Sequence, residues 1–553
     1  MRGSPVAVAV DTAQEYAVLV GGGGVLAAGP IDQVASTMRR LEESEGGPPR
    51  WVWWQADAAR PFVRTDLRLS RSWDLREVHR LLVGGLAAAP DVIWATAHGL
   101  NPDGRPSHRT GDLFDVPSDG AEVVQADGYL APDVLADDWL RGEEHLRTWG
   151  TLALQVAERQ QGLLHPRPHA LATGASESGA ALLCVELEER GLPIDRARME
   201  SLIEAAAGPR PRTEADGVRT RTARDLLVLQ RAPGFERTDL RNPAEVKRML
   251  HGVGVRVDDT RAHHLEPYRH THPVVDALLD WRKAERIATT YGWGWLAEHV
   301  GADDRLRGAW TACDGGAGRM TAGAGLHSLP TPLREGVAAA PGHLLVRADL
   351  GQVEPRVLAV VSGDPVLARA TAADDLYAQV AQQLAVDRPT AKIAVLAAMY
   401  GQTTGPAAGA LERMERSYPV AMAFLRDAAA RGERGEAVTT YGGRLIPVRA
   451  ATEPPARRAM GRFTRNAVVQ GAAAELFKAW ALTARKALLP LGAEIVLCLH
   501  DELLIQVPLP HAERAAVLVQ ETLGAAAHHW SGGMPVRFVA DIRVIARWSQ
   551  AKE

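Results

Sequence analysis

Two aspartates occupy places where a side chain can be held rigidly. Asp349 follows the apolar run 344–348, and Asp501 lies between the apolar runs 495–499 and 503–507. A carboxylate at a strand end points into a cleft with little freedom, although Asp501 taken alone reads as an ordinary turn residue. Between them in sequence, residues 387–401 are predicted to form one helix. Asp387 is the N-cap, Pro389 sits in the first turn and Gly401 is the C-terminal stop. Arg388, Lys392, Leu396 and Tyr400 recur every four residues and share a face. Two cations at a helix N-terminus, where free N–H groups already favour an anion, suit a polyphosphate. The apolar and aromatic groups beyond them suit a sugar and a base. In isolation such a helix is a solvated Arg/Lys pair above a core stripe. Beside two carboxylates it points to phosphoryl transfer with two magnesium ions. Magnesium takes oxygen ligands, commonly one or two carboxylates plus substrate oxygens, so Asp349 and Asp501 are assigned as its ligands.

The flanking stretches make the pattern specific. Asp349-Leu-Gly-Gln-Val-Glu-Pro-Arg356 precedes the helix; Asn466-Ala-Val-Val-Gln470 and Leu499-His-Asp-Glu-Leu503 follow it. In this order, over residues 175–550, the chain resembles family A DNA polymerases, the bacterial DNA polymerase I family, whose helix reads Arg-x3-Lys-x3-Phe-x3-Tyr-Gly. The resemblance implies a right-hand polymerase of palm, fingers and thumb that adds deoxynucleotides to a primer 3′-hydroxyl. It implies Asp349 and Asp501 as metal ligands with Glu502 in support. Arg388 and Lys392 would neutralise the triphosphate, and Lys392 would protonate the leaving pyrophosphate. Glu354 would close the floor beneath the sugar and exclude a 2′-hydroxyl, although it also suits a first-turn helix acid. Gln352 flanks it, and Arg356 is expected to be structural. Tyr400 and Gly401 would line the place of the templating base. Arg462, Asn466 and Gln470, four apart, would track the sequence-independent minor-groove acceptors.

His500 would meet the primer end. Arg319, in Gly-Arg-Met-Thr321, and Arg444, in Thr439-Thr-Tyr-Gly-Gly-Arg444, would contact the DNA backbone. Asn242, before the 244–250 helix, is either a thumb contact or that helix's N-cap. The chain departs from the pattern at Leu396, where the family has an aromatic ring, and at Tyr377, where it has a histidine.

A length of 553 residues implies several domains. The three cysteines are far apart and form no metal-binding pattern, and Cys498 is expected to be buried. No apolar run suits a membrane and no secretory leader is evident, so a cytoplasmic, nucleoid-associated monomer is expected. The net charge of −4 argues against a general nucleic-acid coat. Any DNA surface must be local, and residues 431–465, with eight arginines against three glutamates, are its best candidate.

Residues 1–145 alternate strand and helix, with strands at 6–10, 16–20 and 51–54, a glycine turn at 21–24 and a helix at 75–82. An α/β exonuclease-like (RNase H-like) domain is implied here. A 3′–5′ exonuclease opens with Asp-x-Glu on a strand to hold two metals about 4 Å apart. No such triplet is present. Asp11 and Glu15 would stand about 13 Å apart on a strand, and Asp74, Asp137 and Asp138 read as ordinary surface or capping residues. The domain is therefore expected to be inactive, and there is no room before it for the family's 5′-nuclease domain. Residues 146–178 are read as a linker and 179–553 as an α+β polymerase domain. Within it the thumb spans 196–300, the palm 301–370 and 440–553, and the fingers 371–439. The alternatives are residual 3′–5′ exonuclease activity, a non-catalytic DNA-binding remnant, or a single-subunit RNA polymerase, against which Glu354 argues.

Overall fold

A computed structural model of the chain describes residues 3–106, 122–135, 139–401, 408–499 and 501–552. It divides into two compact units, Met1–Gly191 with Ala309–Ala322 and Val346–Val544, and Leu192–Gly308 with Gly323–Leu345 and Ile545–Glu553.

In the first unit, the N-terminal residues build a five-stranded sheet. Its order is Gly24–Pro30, Tyr16–Gly21, Pro5–Asp11, Arg50–Trp53, Ser72–Asp74. The first three strands are antiparallel and the last two join in parallel. Alternating apolar residues such as Ala7, Val18, Val20 and Val52 bury one face. Against that face lies the helix Glu143–Leu164, through Leu146, Trp149, Leu152 and Val156. The close approach requires Gly150, where a Cβ would stand 2.8 Å from Val20 Cγ2.

The linker expected at 146–178 is therefore corrected. Only the turn around Pro166–His169 interrupts two long helices, the second being Ala170–Arg190. Pro and His in that turn, with Gly174 just beyond it, suggested a loop, but the apolar spacing on either side is helical and both helices are packed along much of their length.

The second sheet of this unit runs Glu494–Leu499, Glu502–Pro508, His343–Gly351, Val539–Ile545. Four helices, Leu376–Leu384, Arg388–Tyr400, Ala408–Ser417 and Pro419–Glu433, occupy the stretch read as fingers. The 35-residue helix Pro454–Leu488 packs against Pro419–Glu433 and Ala170–Arg190.

The second unit is helical over most of residues 196–300. Val246, Met249 and Leu250 of Pro243–Gly252 meet Val274, Val275 and Leu278 of Pro273–Thr290 in its core. The C-terminal segment joins it through Arg547, which pairs with Asp195 at 2.7 Å.

Candidate active site

The strands His343–Gly351 and Glu502–Pro508 are neighbours in the sheet, and this adjacency brings the two aspartates together. The Leu350 N–H donates to the Asp501 carbonyl at 2.9 Å. The carboxyls of Asp349 and Asp501 are each pushed up to about 6, burial being the main cause in both. Repulsion from Asp501, Glu502 and Asp541 adds to the effect at Asp349 against the pull of Arg347; at Asp501 the added repulsion comes from Glu502 and Glu354. Asp501 turns between Leu499 and Glu502, which face each other across the hairpin. His500 lies outside the described residues.

Asp501 opens onto a cavity of about 390 Å³ lined also by Arg319, Gln352, Glu354, Tyr377, Leu396 and Gln470. The Arg388–Tyr400 helix reaches this cavity through Leu396. The Asp387 carboxylate caps it by accepting from the Thr390 N–H at 2.7 Å, and Gly401 ends it at φ +68°. Lys392 is exposed. Arg388 is half exposed, pairs with Asp375 at 2.5 Å and lies 5.8 Å from the Tyr377 ring.

Glu354 accepts from the Tyr400 hydroxyl at 3.4 Å, and burial raises its carboxyl above the usual range. Gln352 takes a left-handed φ of +54°. It donates to Asp375 at 3.0 Å and accepts from the Leu376 N–H at 2.8 Å, tying the floor to the next helix. Arg356 is fully buried and satisfies five backbone carbonyls, those of Gly351, Thr371, Ala373, Asp374 and Arg537. Its role is structural.

The donor set suits a hard divalent ion: two desolvated carboxylates, one on a strand and one in the turn that opens its neighbour, with others beside them to hold positive charge. A group of three possible metal donors within 4.8 Å of one another lies elsewhere among the described residues, at Glu77, Glu177 and Cys313. Arg444 and Lys478 already neutralise that group, pairing with Glu177 at 2.8 and 2.6 Å.

The family model described as DNA polymerase family A matches residues 235–550. The chain belongs to DNA polymerase family A. A thermostable DNA polymerase I of Thermus thermophilus is 31% identical over 324 residues, covering 53% of this chain and 38% of that one. DNA polymerase I of Deinococcus radiodurans is 28% identical over 292 residues, 47% and 30% of the two chains. The chain thus spans less than half the length of these curated relatives. A solved structure described as the POL domain of Pol1 from M. smegmatis, in complex with DNA primer-template and dNTP, shares the fold with a TM-score of 0.67. It covers 99% of this chain and 96% of its own, at 19% identity.

Within this family A fold the remaining positions sort by exposure. Arg462 is exposed, and its side chain packs over Gly401, where a Cβ would lie 3.1 Å from Arg462 Cγ. Asn466 and Gln470 follow on the same helix face and are half-buried, and Arg319 is exposed on its strand. Asn242 caps the Pro243–Gly252 helix, accepting from the Ala244 and Glu245 N–H groups.

Arg444 is corrected. Its side chain is 3% exposed, paired with Glu177 and set against Cys313 Sγ at 3.1 Å, so it cannot reach a DNA backbone. The arginine-rich patch shrinks accordingly. Arg431 and Arg434 pair with Glu436, and Arg465 donates to the Ala398 carbonyl, which leaves Arg449, Arg458 and Arg462 among its exposed members.

Three participants escaped the sequence: Asp375, Asp541 and Arg347. The last had one available signal. Two residues before Asp349 on a strand, it must share that carboxylate's face.

Proposed function

We propose that this family A chain is a DNA-templated DNA polymerase that extends a primer 3′-hydroxyl with deoxynucleotides in DNA replication or repair. One observation carries the reading: the strand that bears Asp349 adjoins the strand that Asp501 leads into, and Asp501 opens onto a cavity lined also by Leu396 of the helix that bears Arg388, Lys392 and Tyr400. Asp349 and Asp501 would hold Mg²⁺, which when bound lowers the pKa of the attacking hydroxyl and neutralises charge on the leaving group. Arg388 and Lys392 supply positive charge to the triphosphate, and Lys392 gives a proton to the departing pyrophosphate. Leu396 offers an apolar surface to the sugar, while Glu354, held by Tyr400, closes the floor beneath it and leaves no space for a 2′-hydroxyl. Arg462, Asn466 and Gln470 follow the minor groove, Arg319 meets the backbone, and His500 meets the primer end. The partners are primer–template DNA and dNTPs.

The N-terminal domain is proposed to be exonuclease-like in fold, on its 3-2-1-4-5 strand order, and to lack that chemistry. Asp11 spends one oxygen on the Ala13 and Gln14 N–H groups, and Asp74 caps its helix by accepting from Glu77. Asp137 and Asp138 lie outside the described residues. Among those residues, no helix is long and apolar enough to cross a membrane.

A labelled primer–template with Mg²⁺, with and without dNTPs, tests the proposal. The protein should lengthen the primer, and Asp501→Ala should abolish extension while retaining DNA affinity. An unchanged primer with all four dNTPs rejects the reading. Shortening without dNTPs would restore the exonuclease.

A further inference from the structure

We propose that Arg347 is a built-in counter-cation of the acidic cleft, and that its ion pairs set how tightly the cleft takes up divalent metal. The proposal rests on the reading of Asp349 and Asp501 as metal ligands and asks what opposes the metal there. The Arg347 side chain is 8% exposed and lies between three carboxylates. Its Nη2 meets Asp349 Oδ2 at 2.6 Å, its Nε meets Glu502 Oε1 at 2.9 Å and its Nη1 meets Asp541 Oδ2 at 2.9 Å. Those carboxylates come from three neighbouring strands, Arg347 itself standing on the middle one. A rigid guanidinium fork reaches each carboxylate with a separate nitrogen, a spread that the single nitrogen of an ammonium lacks.

The charge balance gives this arrangement a consequence. Asp349, Asp501, Glu502 and Asp541 carry four negative charges when ionised, and Arg347 reduces the total to three. The Asp349 oxygen engaged by Arg347 is one of the two through which that residue would hold an ion. A divalent cation therefore enters against a fixed positive charge already seated on its ligand. Arg347 thus acts in two directions. It neutralises the carboxylates while no metal is bound, and it weakens the metal once bound. It is a positioning residue: it fixes the Asp349 and Glu502 carboxylates and touches neither primer nor nucleotide.

The test is titration of the full-length protein with Mn²⁺ alone, without DNA or nucleotide, followed by electron paramagnetic resonance, for wild type, Arg347→Gln and Arg347→Lys. Removing a unit charge a few ångströms from the ion should tighten Mn²⁺ binding in Arg347→Gln by at least about tenfold, the change expected even with water-like screening at about 6 Å. Arg347→Lys keeps the charge and should stay within about threefold of wild type on the same argument. In EDTA, Arg347→Gln should melt below wild type, and Mn²⁺ should narrow the difference. Unchanged or weaker Mn²⁺ binding in folded Arg347→Gln overturns the role of Arg347, as does equal tightening in Arg347→Lys.

If Arg347→Gln does not fold, Arg347→Gln/Asp541→Asn removes one charge of each sign. A dissociation constant within about threefold of wild type then supports the proposal, and one raised about tenfold overturns it, since only the lost carboxylate would be acting. Wild-type protein that takes up no Mn²⁺ rejects the metal site itself, a separate failure.

Discussion

Arg444 and Arg462 lie on the same arginine-rich stretch, and their surroundings predict opposite responses to loss of charge. In Arg444→Met the aliphatic volume is kept while the guanidinium is removed from a pocket where Glu177 and Lys478 are also buried. Breaking a buried ion pair costs about 3–5 kcal/mol when the partner is left uncompensated. Here Glu177 keeps Lys478 at 2.6 Å, and Lys478 also donates to the Gly318 carbonyl, so the lower end, about 3 kcal/mol, is expected. The loss also weakens the support that Arg444 and Lys478 give to ionised Glu77, whose carboxyl is already raised chiefly by burial. The melting temperature should therefore fall clearly.

DNA affinity should keep its salt dependence in Arg444→Met, because a buried cation displaces no counterions from phosphate. Arg462→Ala should do the reverse, with near-normal stability and a plot of log affinity against log salt shallower by about 0.9 for each phosphate no longer neutralised. Thermal melts and fluorescence anisotropy on a labelled primer–template, at KCl concentrations spanning the physiological range, read both quantities. An Arg444→Met protein with wild-type melting and a shallower salt slope would refute the reasoning, since it would place that side chain on the DNA.

Two further outcomes follow from the cavity. Leu396→Phe adds a ring to the wall and should lower the apparent KM for dNTPs about two- to tenfold, the range given by about 0.5–1.5 kcal/mol of aromatic stacking; steady-state incorporation showing an unchanged or raised KM would count against it. The second concerns pH. Asp349 and Asp501 titrate at about 6 in the metal-free fold, above the roughly 3.9 of an unfolded chain. Between those values the native state holds more protons than the unfolded one, so metal-free stability should fall as pH rises through that window. Divalent ions need the ionised forms, so Mn²⁺ affinity should weaken as pH falls through about 6. Melts in EDTA and Mn²⁺ titrations across pH 4–8 check both signs, and a metal affinity flat across pH 6 would contradict the assignment.

What could be read from the chain was local. The Arg388–Tyr400 helix carries its own punctuation in Asp387, Pro389 and Gly401, so its face could be drawn without tertiary information. The aspartate turn between two apolar strands was legible for the same reason. Arg444 was misplaced because an arginine's burial depends on a partner that only folding supplies, in this case Glu177 from a helix far upstream. Asp541 gave no signal, since its strand reaches the cleft by pairing with His343–Gly351 across most of the C-terminal half. Asn242 satisfied two descriptions at once; the hydrogen bonds it accepts from Ala244 and Glu245 show the cap and do not bear on the DNA contact. The stretch 146–178 was read by composition at its centre, where the apolar period on either side was the better guide.

The same ion pairs give the N-terminal sheet a physical role independent of any chemistry of its own. The helix Pro454–Leu488 presents Arg462, Asn466 and Gln470 near one end and buries Lys478 and Arg485 towards the other. Lys478 pairs with Glu177 and Arg485 with Glu186, both on Ala170–Arg190. That partner helix buries thirteen of its 21 residues, and it packs on the strand Ser72–Asp74 and the helix Leu75–Val83. Arg485 also donates to the Leu69 carbonyl, and Arg60 reaches Glu188 and Glu189. A helix turns about 100° per residue, so a slip of one position would carry Gln470 off the cavity wall. Two buried ion pairs seven residues apart, two turns on the same face, forbid that slip only while Ala170–Arg190 is itself held in place. The sheet holds it. Whatever chemistry the N-terminal residues carry, their sheet can therefore be needed to keep the side chains at the cavity in register.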